Sequence, residues 1–263
     1  MTEEKVNLID QYYFAMFKPS FYHKLSKVKV GIVIIYTIIL MAFITIIQYV
    51  MPVTAWIIQH DGFSNIILDK VPEFTLKDGN LTMEEPFSMT VGGMLIEVDT
   101  SVDEYKLEDL TKKQKISSLL IGKKGMFFVS GNSIMPTKWT ETNLQYLDNK
   151  TLNDQIPVIY FTIIIMGIVY FVTRSARYLI IGFIYAWLGY RFSKTIDTEL
   201  KYWKVYQLTI YAQTIGLVAT TVAMVLGGAT IGFFISLGAV LATIFILNAG
   251  IMSHKTSNSI SGN

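Results

Sequence analysis

His23, His60 and His254 are the only histidines, and each lies in a different region of the 263-residue chain. A zinc site needs three or four ligands converging on one point, so one imidazole per region is a poor start. Cysteine is absent, which removes thiolate nucleophiles, Cys-ligated metals and disulfide staples together. Ser117 and Ser118 precede Lys123 and Lys124 closely enough to suggest a Ser–Lys dyad. Such neighbours are common by chance, and a dyad is defined by geometry. No Gly-rich phosphate loop with its Lys is present, which argues against ATP hydrolysis. The long apolar runs hold no Asp or Glu, so they lack both the aspartate pair of an intramembrane protease and the carboxylates of proton-coupled transport. Their polar groups are neutral: Gln48, Gln207, Gln213 and Asn248. The expectation is a protein that is not an enzyme and that uses neither cofactor nor metal.

What remains is chemistry of contact. Arg174 and Arg177 are three residues apart and share a helical face. At a cytoplasmic membrane rim they would snorkel; deeper, they would need a partner, with Asp197 and Glu199 nearest in sequence. Residues 8–25 interleave Tyr12, Tyr13, Phe17 and Phe21 with Lys18 and Lys24. Rings prefer the headgroup level and lysines prefer anionic phosphates, so this leader is expected on the inner leaflet, with partner docking as the alternative. Its closeness to a span favours lipid over nucleic acid. Gly228 and Gly232 are four apart, Gly216 precedes Thr220 by four and Gly238 precedes Ala242 by four. Small residues at that spacing let helices approach closely in lipid, either within one hairpin or against a second membrane protein.

The elements that must position these groups are set by composition. Apolar residues make up 52% of the chain and charged ones 16%, against about 25% charged in soluble domains. Residues 51–156 carry 10 Lys+Arg and 15 Asp+Glu, a net −5, and the remainder carries +7. Residues 28–50 hold Lys29 as their only charge, long enough to cross a bilayer at 1.5 Å per residue. Lys18, Lys24, Lys27 and Lys29 flank that run and predict a cytoplasmic N-terminus. Residues 157–190 read as a second span with an interfacial or re-entrant extension, or as two short spans. The single crossing keeps Arg191, Lys194, Lys201 and Lys204 inside. Residues 191–205 are then a basic cytoplasmic loop, 206–250 a transmembrane hairpin and 251–263 a cytoplasmic tail. The fold class expected is an α-helical integral membrane protein of four transmembrane helices, alternatively five. A cytoplasmic interfacial leader occupies residues 1–27.

Residues 51–156 are too long for a bare connection and predict an extracytoplasmic, β-rich α+β domain between the first and second spans. Turn signals stand at Asp78-Gly79, Gly92-Gly93 and Gly131-Asn132. Between them, residues 74–76, 94–98, 116–121 and 126–129 read as strands. Residues 103–111 read as a short helix, and residues 137–154 as helical.

Three stretches carry a resemblance: Phe17-Lys18-Pro19-Ser20-Phe21-Tyr22; Val71-Pro72-Glu73-Phe74 with Gly79-Asn80-Leu81 and Ile96-Glu97-Val98-Asp99-Thr100; and Tyr211-Ala212-Gln213-Thr214. The chain resembles a Gram-positive multi-pass membrane family of unknown function that includes the maltodextrin utilisation proteins. Its later half is faintly similar to the Yip-type membrane domain, through Gly189-Tyr190-Arg191-Phe192-Ser193. The first resemblance implies a bacterial plasma-membrane protein, sometimes linked with sugar uptake. The leading expectation is a non-enzymatic accessory or scaffold protein in a membrane complex, with a sugar ABC permease as candidate partner. A stand-alone transporter or channel, a homo-oligomer, and a surface receptor binding through residues 51–156 stay open.

Overall fold

The computed structural model describes residues 6–91, 94–103, 105, 117–131, 133–198, 200–226 and 229–261. Side chains of residues 225–226, 229–233 and 257–261 fall outside that description. The chain divides into two units, residues 1–50 with 166–263, and residues 51–165.

The first unit is helical. Helix α1 (Leu8–Phe17) starts at Asn7, whose side chain accepts the Asp10 backbone N–H at 2.8 Å and so satisfies an orphan donor of the first turn. Pro19 ends that run in a short 3₁₀ turn leading to α2 (Tyr22–Leu25). Helix α3 (Val30–Thr45) runs through a π turn (Ile46–Val50) into α4 (Met51–Gln59), with the short α5 (Gly62–Asn65) after it. Three long helices close the chain: α7 (Ile156–Thr195), α8 (Tyr202–Leu226) and α9 (Ala229–Ser261). Among the described residues, three helical stretches are long and apolar enough to cross a membrane: Val30–Gln59, Ile156–Thr195 and Phe234–Thr256. Helix α8 is not among them. Its described part carries Gln207, Gln213 and four threonines, and it forms one continuous helix over the stretch expected as the third span.

The sequence left residues 157–190 between one crossing and two. The structure gives one uninterrupted helix of 40 residues with no turn inside it. Pro157 sits in its first turn, where a missing N–H costs nothing, and no further proline follows.

The leader is part of the core of this unit. Gln11, Ala15, Tyr22 and Leu25 are fully buried and pack with Tyr36, Leu208, Tyr211, Leu247 and Ile251. Gly250 makes this possible, since a Cβ there would meet the Tyr22 ring at 2.4–2.9 Å.

The second unit is β-rich. A three-stranded antiparallel sheet joins β1 (Phe74–Lys77), β2 (Asn80–Met83) and β8 (Tyr146–Asp148) in the order β2-β1-β8. A five-stranded sheet joins β3 (Phe87–Val91), β4 (Met94–Val98), β5 (Ser118–Ile121), β6 (Gly125–Ser130) and β7 (Ser133–Lys138) in chain order. Asp78 and Gly79 both take positive φ, the requirement of a two-residue hairpin that pairs Lys77 with Asn80. The β4–β5 pair is parallel, so a crossover must join them. The predicted helix 103–111 falls on that crossover, and apart from Asp103 and Tyr105 it lies outside the described residues. The expectation of a helical 137–154 is corrected: β7, a 3₁₀ turn at Trp139–Glu141, β8 and the short α6 (Asn149–Asp154) share that stretch. Pro136 is tolerated in β7 because this strand is an edge, paired only with β6. Phe74, Leu76, Leu81, Val98 and Trp139 form the core, with the Trp139 indole N–H donating to the Gly122 carbonyl at 3.2 Å.

Candidate functional site

On α7, Tyr170, Arg174 and Tyr178 recur every four residues and face one side. The Arg174 guanidinium donates through Nε to the Tyr170 hydroxyl at 3.0 Å and through Nη2 to Gln48 Oε1 at 2.8 Å. The Tyr170 hydroxyl donates to the same Gln48 oxygen at 2.7 Å, and Gln48 Nε2 donates to Thr221 Oγ1 at 2.8 Å. Three helical segments are thus tied by one charged and three neutral side chains. The π turn carries Gln48 to this point; such turns are rare and recur at functional positions. The Arg174 charge also lies 5.3 Å from the Tyr170 ring centroid, within cation–π range.

Beside this cluster a cavity of about 630 Å³ opens within the first unit. Arg174 and Arg177 line it together with Gln48, and Met41, Ile44, Leu217 and Val240 contribute apolar wall. No carboxylate lines it among the described residues. Arg177 is exposed and makes no hydrogen bond or ion pair among the described residues. Below, a polar stripe on α8 continues the pattern. Tyr36 and Thr214 share a hydrogen bond of 2.6 Å, Tyr211 donates to Gln11 Oε1 at 2.8 Å, and the Tyr178 hydroxyl donates to the Ile210 carbonyl. Gln207 Nε2 donates to the Leu25 and Val28 carbonyls at 3.0 and 2.8 Å, and Lys204 Nζ to the Ser26 carbonyl at 2.6 Å. These bonds satisfy carbonyls at the end of α2 and fix the entry to α3.

Residues 9–249 match the family described as a protein of unknown function, DUF1189. The chain belongs to the DUF1189 family. No curated protein and no solved structure matches it.

In this DUF1189 member the residues singled out from sequence are divided by the fold. Tyr12 is half-buried, stacks on Tyr36 at 4.3 Å between centroids and donates to the Tyr36 carbonyl at 2.9 Å. Burial pushes its hydroxyl up to about 12, and burial pushes the Tyr22 hydroxyl up still more firmly. Tyr13, Phe17 and Lys18 are exposed, with Lys18 Nζ 5.4 and 5.5 Å from the Tyr13 and Phe21 rings. Lys24 lies 5.2 Å from the Phe21 ring. Gly216 meets the chain's own hairpin: a Cβ there would lie 3.1 Å from both Cβ and O of Ala239. Gly238 faces open space, Gly228 lies outside the described residues, and of Gly232 only the helical backbone is described. Among the described residues no three of His, Asp or Glu gather as a metal site would need.

Sequence reasoning noted Gln48 and the α8 glutamines only as neutral groups. It missed Tyr170 as a partner of Gln48, Tyr178 as a donor to the Ile210 carbonyl, and the Tyr211–Gln11 pair. The available signal was the Tyr170–Arg174–Tyr178 spacing, together with Gln48 as the single amide of its apolar run.

Proposed function

We propose that this DUF1189 protein is a non-enzymatic accessory component of a membrane complex, anchored by its helices and presenting its β-rich unit outside the cell. The observation that carries the reading is the length of α7. Forty residues at 1.5 Å each make a helix of about 60 Å, twice the roughly 30 Å hydrocarbon core. Fitting all of it into that core would need a tilt of about 60°, beyond the usual range of roughly 0–40°. Yet both halves expose large apolar side chains: Phe161, Ile164 and Ile168 in one, Ile180, Ile184 and Trp187 in the other. Lipid covers one half. The other half in water would forgo roughly 5–10 kcal/mol of burial, at about 1 kcal/mol per half-exposed side chain. A partner's apolar helix or groove is the cover that removes this cost.

The +7 and −5 charge partition supports a cytoplasmic N-terminus with residues 51–156 outside. A sugar ABC permease is the first partner to seek, a choice resting on the family resemblance alone. The test is purification in mild detergent from cells whose surface was first treated with an impermeant maleimide. A Ser133→Cys chain should be labelled, and a permease-sized protein should accompany it in fixed ratio. An unlabelled chain would reverse the orientation. A chain that elutes alone, active in reconstituted flux, would favour the stand-alone transporter.

A further inference from the structure

We infer that the cleft at Arg174 and Arg177 holds the phosphate of an anionic membrane amphiphile, with its tail against the cleft's apolar wall. The inference stands on observations other than the length of α7 and does not depend on the accessory reading.

The first observation is the level of the cleft within its unit. Lys29, Lys194 and Lys204 stand at one end of α3, α7 and α8, where Lys204 bonds the Ser26 carbonyl and Lys255 the Ile196 carbonyl. From Lys194 back to Arg174 is 20 residues, about 30 Å along the helix; from Lys29 to Gln48 is 19, about 28 Å; from Lys204 to Thr221 is 17, about 26 Å. Three helices therefore separate the lysine tier from the Arg174–Gln48–Thr221 tier by one hydrocarbon thickness. The second tier lies where the phosphates of the opposite leaflet are found.

The second observation is charge without compensation. Arg174 uses two of its five N–H donors, both on neutral acceptors. Arg177 uses none among the described residues. Two guanidiniums on one face, one of them exposed, therefore keep N–H donors for an anion that enters the cleft. Guanidinium forks match the oxygens of a phosphate bidentately, which a lysine tier does not do. The Gln48 and Tyr170 bonds fix the Arg174 plane in advance, so little ordering is left for the ligand to impose. A cavity of about 630 Å³ with Met41, Ile44, Leu217 and Val240 on its wall has room for more than an inorganic ion.

The phosphate could belong to a lipid headgroup or to a soluble compound, and the experiment separates the two. The full-length protein in neutral detergent is titrated with phosphatidylglycerol, phosphatidylcholine and inorganic phosphate, and occupancy is read by native mass spectrometry. Phosphatidylglycerol should bind, phosphatidylcholine should bind less, and inorganic phosphate at millimolar concentration should displace neither. Arg177→Gln should weaken phosphatidylglycerol about tenfold or more, the loss of a charge-assisted contact. Its melting temperature should not move, because Arg177 holds nothing in the fold. Lys194→Gln, at the other tier, should bind as the parent does. Arg174→Gln removes the tie to Gln48 and can fail to fold, so Arg177→Gln is the deciding variant. Unchanged occupancy in that variant, or equal binding of phosphatidylcholine, would overturn the proposal. Displacement by inorganic phosphate would overturn the amphiphile and assign a soluble phosphate compound instead.

Discussion

Gly250 has no side chain, and that absence is what lets the N-terminal leader enter the bundle. Tyr22 lies flat against it, fully buried, with its hydroxyl donating to the Ala15 carbonyl at 3.0 Å. A methyl group at position 250 would sit 2.4 Å from Tyr22 Cδ1 and 2.9 Å from its Cβ, so the ring and α2 must move together. Gly250→Ala should therefore destabilise the helical unit by about 1–3 kcal/mol, the usual range for overpacking. Limited proteolysis is the direct readout: cleavage near residues 18–27 should accelerate in the variant and stay slow in the parent. Equal cleavage in both would mean the leader is held by other contacts. From sequence, Tyr22 belongs to the aromatic leader of residues 8–25 expected near lipid, because aromatic rings suit both a headgroup layer and a packed core. Only the partner decides, and Gly250 lies 228 residues further along the chain. The arginines were legible as a pair. Their anchoring to Gln48 was not, since a neutral amide 126 residues away gives no charge signal.

Elements with strong periodic or compositional signals were readable, and those defined by long-range pairing were not. The Asp78-Gly79 turn, strand β4 and the apolar runs are local properties, and each appears where residue types require it. Strands β7 and β8 lacked alternation and carried Pro136 or Asp148, so they exist only because β6 and β1 offer edges to pair with. Asp148 shows how such an element is terminated. Its carboxylate accepts the Thr151 backbone N–H at 2.6 Å as the N-cap of α6 and accepts the Tyr146 hydroxyl at 2.8 Å. The Thr151 bonds, then the Tyr146 hydroxyl, hold its carboxyl below the usual range. A carboxylate depressed in the folded state contributes stability above its unfolded pKa and loses it as pH falls through the folded one. Thermal stability of the full chain should therefore fall with acidification through and below the ordinary carboxylate range. Asp148→Asn should show a shallower acid dependence, and superimposable pH profiles would remove Asp148 from the account.

At the scale of the molecule, a helical unit with stretches apolar enough to cross a membrane and a β-rich unit were both apparent from the composition and the turn signals. The uninterrupted course of α7 was not, because a 34-residue apolar stretch reads equally well as one span with an extension or as two short spans. Hydropathy measures what a helix tolerates around it, and cannot say whether lipid or protein supplies that surrounding. The central claim is that lipid covers one half of α7 and a partner protein the other. With the bilayer proposed between the lysine and arginine tiers, at residues 174–194, Ile164 is left for the partner and Ile180 for lipid. Both are more than 60% exposed, so a photoreactive benzoyl-phenylalanine fits at either. Irradiating intact cells tests the claim most directly. The account expects a discrete protein adduct from position 164 and only lipid adducts from position 180. Lipid adducts alone at both positions would contradict it.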